Sequence, residues 1–253
     1  MNRIQSIFKN RSKKIIPFIT AGFPSMSDTI NLVLAAEKSG ADMVEVGMPF
    51  SDPLADGPII QNSSNVAISN GVTINWILDV VNKVRDRSDV PIALMGYINP
   101  ILKYGLEKFI KDSYNSGVDG LIIPDLPPEE AGEYLQLSRR HNICAILLVS
   151  PNTPPERIKK ISILSGGLIY CVSVLGITGG KSGFSKSFNT YMARVNENSV
   201  CPHVVGFGIK DRFDVIEVNK LSHGAVIGSA IIDELSNAKD PVLSIKNFME
   251  KLI

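Results

Sequence analysis

Short apolar runs recur along this chain, and the segments between them place hydrophobic residues at helical spacing. The runs cover 15–20 (IIPFIT), 42–47 (DMVEVG), 90–96 (VPIALMG), 118–124 (VDGLIIP), 143–149 (ICAILLV), 167–173 (GLIYCVS), 203–208 (HVVGFG) and 224–229 (GAVIGS). Most are continuously apolar rather than alternating, which predicts parallel strands buried on both faces. The segment SDTINLVLAAEKSG predicts a helix capped by Ser27 and stopped at Gly40, and TINWILDVVNKV carries Ile77, Val80, Val81 and Val84 on one stripe. LEKFIKDSYNSG predicts a helix ending at Gly117. PPEEAGEYLQLSRRH predicts one that opens on proline and two acids, as the positive end of a helix favours. PPERIKKISIL, DRFDVIEVNKL and VLSIKNFMEKLI predict three more.

Eight strands alternating with helices are the pattern of a (β/α)₈ barrel. An open doubly wound sheet is the competing architecture. It usually carries a G-x-G-x-x-G turn after its first strand, where this chain reads TAGFPS. No composition break divides the chain, so one barrel domain over 1–253 is expected, with an extra N-terminal helix. The start, MNRIQSIFKNRSKK, is basic but lacks a cleavage pattern and runs straight into a strand signal; a short amphipathic helix is expected there rather than a targeting segment.

Composition narrows the class. A net charge of +1 gives no electrostatic case for nucleic acid or a membrane surface. No apolar run approaches the roughly 20 residues that span a bilayer. The cysteines, Cys144, Cys171 and Cys201, are odd in number and lie in apolar runs, predicting buried reduced thiols and a cytoplasmic address.

In a barrel, chemistry gathers at the C-terminal ends of the strands. Among those ends Glu45 stands apart, flanked by Val44 and Val46 with no basic residue nearby in sequence. Its plain reading is a strand residue that escapes to the rim. Facing inward, it would have its pKa raised by desolvation and suit acid/base work near neutral pH. The following stretch, SDPLADGP, supplies Asp52 and Asp56. Turn formation accounts for Asp52; Asp56 either turns the chain with Gly57 and Pro58 or aims a carboxylate over the barrel mouth.

The last three strands end in LGITGGKSG, GFGIKD and IGSAI, where small residues leave backbone N–H groups for an anion. A helix starting at Ser229 would add its positive end, so a phosphorylated substrate is expected. No lysine is expected within a strand core, which argues against a Schiff-base aldolase. His141, His203 and His223 sit at or before strand starts, away from the catalytic end, and no metal-ligand spacing is present. What remains is carboxylate acid/base chemistry without a cofactor.

The segments PFITAGFP, EVGMPFSDPLADGPIIQ, YINP, LIIPDLP, SVLGITG, GFGI and IGSA, in this order and spacing, resemble the tryptophan synthase α-chain family over essentially the whole chain. The PFSDPLADGP run is the most specific of them. The resemblance implies a barrel that cleaves indole-3-glycerol phosphate to indole and glyceraldehyde 3-phosphate. It implies Glu45 as the proton donor and acceptor, and Asp56 as the carboxylate on the indole N–H, kept ionised by a polar loop. Gly179, Gly208, Gly228 and Ser229 would hold the phosphate. Tyr170 would stand beside the glutamate, and Thr178 would hold the aspartate loop closed. Phe18, Met95, Ile122, Leu148 and Phe207 are the expected apolar slot for indole. The family works as an α₂β₂ assembly whose β chain, not this one, carries pyridoxal phosphate; contact is expected at 49–58, at Asn99-Pro100 and at 176–185. Phe23 stands where some relatives carry an acid and Val174 where some carry arginine, which bears on loop contacts. Two alternatives stay open: a largely non-catalytic allosteric partner of a β chain, and another phosphate-binding barrel such as a sugar-phosphate isomerase.

Overall fold

The computed structural model describes residues 2–10, 12–173, 185–206 and 208–253. Eight parallel strands close in sequence order into a barrel: β1 (Lys14–Thr20), β2 (Val44–Gly47), β3 (Ile92–Met95), β4 (Gly120–Ile122), β5 (Cys144–Val149), β6 (Ile169–Val172), β7 (His203–Gly206) and β8 (Gly224–Ile227). Every expected run holds a strand, so the (β/α)₈ expectation is met and the open sheet is excluded. The strands are almost wholly buried because helices cover their outer faces and side chains fill the inside.

The helices are α1 (Arg3–Ile7), α2 (Thr29–Lys38), α3 (Pro58–Ser69), α4 (Ile74–Arg85), α5 (Ile98–Tyr104), α6 (Leu106–Ser116), α7 (Gly132–Arg140), α8 (Pro155–Leu164), α9 (Lys186–Asn198), α10 (Arg212–Leu221), α11 (Ser229–Ser236) and α12 (Pro241–Leu252). The stripe read from α4 is buried, and α6 stops on a left-handed Gly117 as expected. Two helix starts differ from expectation. Ser27 does not cap α2: its hydroxyl pairs with Ser25, which also donates to Asp28, and the helix begins one residue later, at Thr29. The acids of PPEE do not open α7. Residues 127–130 form a turn, Glu129 receives both guanidinium nitrogens of Arg157 at 2.8 and 2.9 Å, and the helix starts at Gly132.

Two further expectations are corrected. Lys14 opens β1 and is buried, but it lies at the strand's start. Its ammonium donates to Asn10 and Ser12 and sits 3.5 Å from Asp42, which satisfies the charge far from the catalytic end. Cys144 and Cys171 are buried thiols, whereas Cys201 is only partly buried, because it lies in the connection before β7.

The N-terminal segment forms the expected short helix, and α1 closes the bottom of the barrel. Fully buried Ile4 occupies the space beside Gly120, where a Cβ would fall 2.6 Å from its Cδ1. Asn2 and Gln5 form a capping box, and their amides donate to the carbonyls of Asp119, Asn142 and Gly166. The floor is completed by Asp119, whose carboxylate accepts the Ile92 N–H at 2.9 Å, Arg85 at 2.8 Å and Arg3 at 3.2 Å. Among the described residues no helix is long and apolar enough to cross a membrane.

Candidate active site

Strand alternation decides which side chains face inward. Phe18 of β1 pairs in register with Glu45 of β2, which pairs with Ala93 of β3. Gly47, two residues beyond Glu45, has no side chain because the Phe18 ring fills its place: a Cβ there would lie 2.4 Å from the ring. Tyr170 of β6 likewise reaches across to Gly206 of β7, where a Cβ would lie 1.9 Å from its hydroxyl. Glu45, Phe18 and Tyr170 therefore share the interior.

Glu45 is 1% exposed, and its Oε2 has no hydrogen-bonding partner among the described residues. Burial first, and the nearby charge of Asp56 second, push its pKa from 4.5 to about 8. A carboxyl so placed is protonated at neutral pH yet within roughly one pH unit of release, the condition for giving and taking a proton. Tyr170 is buried beside the pair; desolvation, then the charges of Glu45 and Asp56, hold its phenol well above the ordinary value.

Asp56 comes from the loop between β2 and α3. The loop turns through a hydrogen bond from the Asp56 N–H to Pro53 O at 3.1 Å, and α3 then starts on Pro58 with Gly57 as N-cap. Both readings of Asp56 thus hold at once: the backbone turns and the carboxylate points over the barrel mouth. Its Oδ2 accepts from the Tyr97 hydroxyl at 3.0 Å. The expectation that a polar loop keeps Asp56 low is corrected, since burial raises it and the Tyr97 hydrogen bond opposes only part of that rise. Asp52 is exposed on the loop, just before the turn that Pro53 and Asp56 close.

Asp56, Phe18 and Met95 line a narrow recess together with Thr20, Met48 and Tyr97. Ile122 and Leu148 share the inner face with Gly120 and Ile146, two residues earlier on each strand, where those two meet; neither lines the recess. Gly208, Gly228 and Ser229 are partly exposed at the ends of β7 and β8, and Gly228 is the N-cap of α11. A Cβ on Gly228 would come 3.6 Å from Phe18, so the N-terminus of α11 adjoins the recess. Thr178, Gly179, Val174 and Phe207 lie outside the described residues.

Two parts of the recess carry no expectation from the sequence: Tyr97, just after the third apolar run, and α3, whose Ile60 and Ser64 border it. Pro58 after Gly57 was the available signal for α3. A larger groove of about 350 Å³ runs between α4 and α6. Its carboxylates, Asp79 and Asp112, are already paired with Lys83 and Lys108 at 2.7 Å, and it lacks the perturbed acids of the barrel mouth. Among the described residues no group of His, Cys, Asp and Glu could hold a metal ion.

This geometry can be set beside known proteins. The family model described as "Tryptophan synthase alpha chain" matches residues 4–251. Relatives of that name include one from Caldanaerobacter subterraneus subsp. tengcongensis, 43% identical over all of this chain and 98% of its own length. Another, from Petrotoga mobilis, is 42% identical over all of this chain and 99% of its own. Among solved structures, tryptophan synthase subunit alpha from Legionella pneumophila superposes with a TM-score of 0.93 at 34% identity, covering 100% of this chain and 97% of that one. A chain of the tryptophan synthase complex from Pyrococcus furiosus gives 0.88 at 34%, covering 94% and 97%. Fold, inward acid and full-length match agree: the chain belongs to the tryptophan synthase alpha chain family.

Proposed function

We propose that this chain performs the family's carbon–carbon lyase reaction, the retro-aldol cleavage of indole-3-glycerol phosphate to indole and glyceraldehyde 3-phosphate in tryptophan biosynthesis. The observation that carries the reading is Glu45, a buried carboxyl protonated at neutral pH within reach of Asp56's charge. Glu45 donates its proton to indole C3, and Asp56 accepts the hydrogen bond from the ring N–H as positive charge develops there. The bond from C3 to the glycerol carbon then breaks, its electrons return to the ring, and Glu45 takes the hydroxyl proton as the aldehyde forms. One proton passes from hydroxyl to ring carbon, so the acid is regenerated.

Phe18 and Met95 flank the indole ring, with Ile122, Leu148 and Phe207 completing the apolar slot, and Tyr170 packs beside Glu45. Phosphate sits on the amides of Gly179, Gly208, Gly228 and Ser229. The α11 N-terminus supports this, since it borders the recess on the side of Phe18. Thr178 holds the Asp56 loop closed. The reaction needs no cofactor in this chain; pyridoxal phosphate belongs to the β chain of an α₂β₂ assembly. The exposed loop around Leu54 and the start of α5, with Asn99 and Pro100, are the surfaces offered to that partner. The single barrel over 1–253 carries the whole site, and the unpaired cysteines agree with a cytoplasmic address.

An indole-release assay with indole-3-glycerol phosphate, with and without β chain, tests the reading. Release that ribulose-type phosphates do not replace is expected. No indole even at saturating β chain would leave the chain an allosteric partner, and turnover of the ribulose-type phosphates instead would make it an isomerase.

A further inference from the structure

The reaction scheme leaves one group at the barrel mouth without a task. Tyr97 follows the end of β3 and is the N-cap residue of α5, with 4% of its surface exposed. Its hydroxyl donates to Asp56 Oδ2 at 3.0 Å and accepts the N–H of Ala55 at 3.0 Å. Its ring lies against Phe50, with centroids 5.4 Å apart. A single side chain thus grips the loop after β2 on both sides of the exposed Leu54, at Phe50 and at residues 55–56. Tyr97 is itself held, because the next residue, Ile98, donates its N–H to the Asp125 carboxylate at 3.0 Å.

We infer that Tyr97 is a positioning residue for Asp56: its phenol holds Oδ2, presents Oδ1 to the indole N–H and favours the ionised carboxylate. Oδ1 accepts no hydrogen bond from the described residues, which leaves it for substrate. The inference rests on the role proposed above for Asp56.

The surroundings make such a donor necessary. Asp56 faces Glu45 from β2 and Tyr170 from β6, Asp52 shares its loop, and Asp125 acts on Tyr97 from the end of β4. None of these brings positive charge, and burial also disfavours the carboxylate. Among the described residues the Tyr97 hydroxyl is the group that opposes that burial. Without it, Asp56 would bind a proton more readily and lose the contact that fixes its orientation.

Tyr97→Phe keeps the ring against Phe50 and removes only the hydroxyl. The first readout is a ¹³C carboxyl titration of Asp56, assigned by comparison with Asp56→Asn; its midpoint is expected to rise by about one pH unit. The second is indole release. The acid limb of kcat/KM is expected to move up with that midpoint, and kcat to fall about tenfold or more while KM changes by less than about threefold. Placing 3-fluorotyrosine at position 97, a stronger donor of nearly the same shape, should move the midpoint down and covers a failure of Tyr97→Phe to fold. An Asp56 midpoint unmoved by either change overturns the inference. If the midpoint moves as stated while wild-type protein releases no indole, the positioning role stands and the proposed reaction falls.

Discussion

At the scale of single residues, the barrel keeps one acid in the state that water would not allow. Glu45 has a folded pKa of about 8 against an ordinary 4.5. Between those values the folded chain holds a proton that the unfolded chain has released, so stability falls as pH rises, by about 1.4 kcal/mol per unit. His203 has the opposite sign. Burial, helped by His223, lowers it from 6.5 to about 4, so between those values the unfolded chain takes up a proton that the folded chain refuses. Stability then falls as pH drops through that range. The two slopes oppose each other between 4.5 and 6.5, which predicts a plateau there and a decline on either side. Denaturant melts of Glu45→Gln should lose much of the decline between pH 6.5 and 8, a gain on the order of a few kcal/mol at pH 8. An unaltered alkaline slope would show that Glu45 is not the buried acid described. The unusual environment of Glu45 was legible from its apolar neighbours. That of Asp56 was not, because its partner Tyr97 stands 41 residues along the chain and the recess they both line draws on several strands, which local sequence does not reveal.

At the scale of elements, the strands were legible because burial on both faces writes an unbroken apolar run. Helix starts were less so. The α2 start depends on which acceptor Ser25 and Ser27 find, and the α7 start on Arg157 drawing Glu129 away, 28 residues distant in sequence. Local signals carry neither competition. The short α1 shows the same limit: its amphipathic pattern predicts a helix, but its task as the barrel floor comes from Gly120, Asp119 and Gly166, far along the chain. Ile4 is fully buried in that floor. Ile4→Ala should destabilise the chain by about 2–5 kcal/mol, because the rigid strand starts cannot collapse into the space. A urea melt with unchanged slope and lowered midpoint would report this, and a midpoint unchanged from wild type would mean that α1 does not carry the floor.

At the scale of the molecule, the barrel separates stability from chemistry. The strand starts carry Ile4, the Asp119–Arg85–Arg3 network and the buried Lys14; the strand ends carry Glu45, Asp56, the recess and the N-terminus of α11. Fixed strands hold the proton donor, and a loop clamped at two points holds the acceptor that faces the indole nitrogen. The central claim is that a carboxyl sealed inside the barrel moves the proton. The direct measurement is kcat/KM for indole release from indole-3-glycerol phosphate by Glu45→Gln, with folding verified by its melt. The amide fills the same space but cannot give up and retake a proton, so a loss of about 10²-fold or more is predicted, and activity within about threefold of wild type would contradict the account.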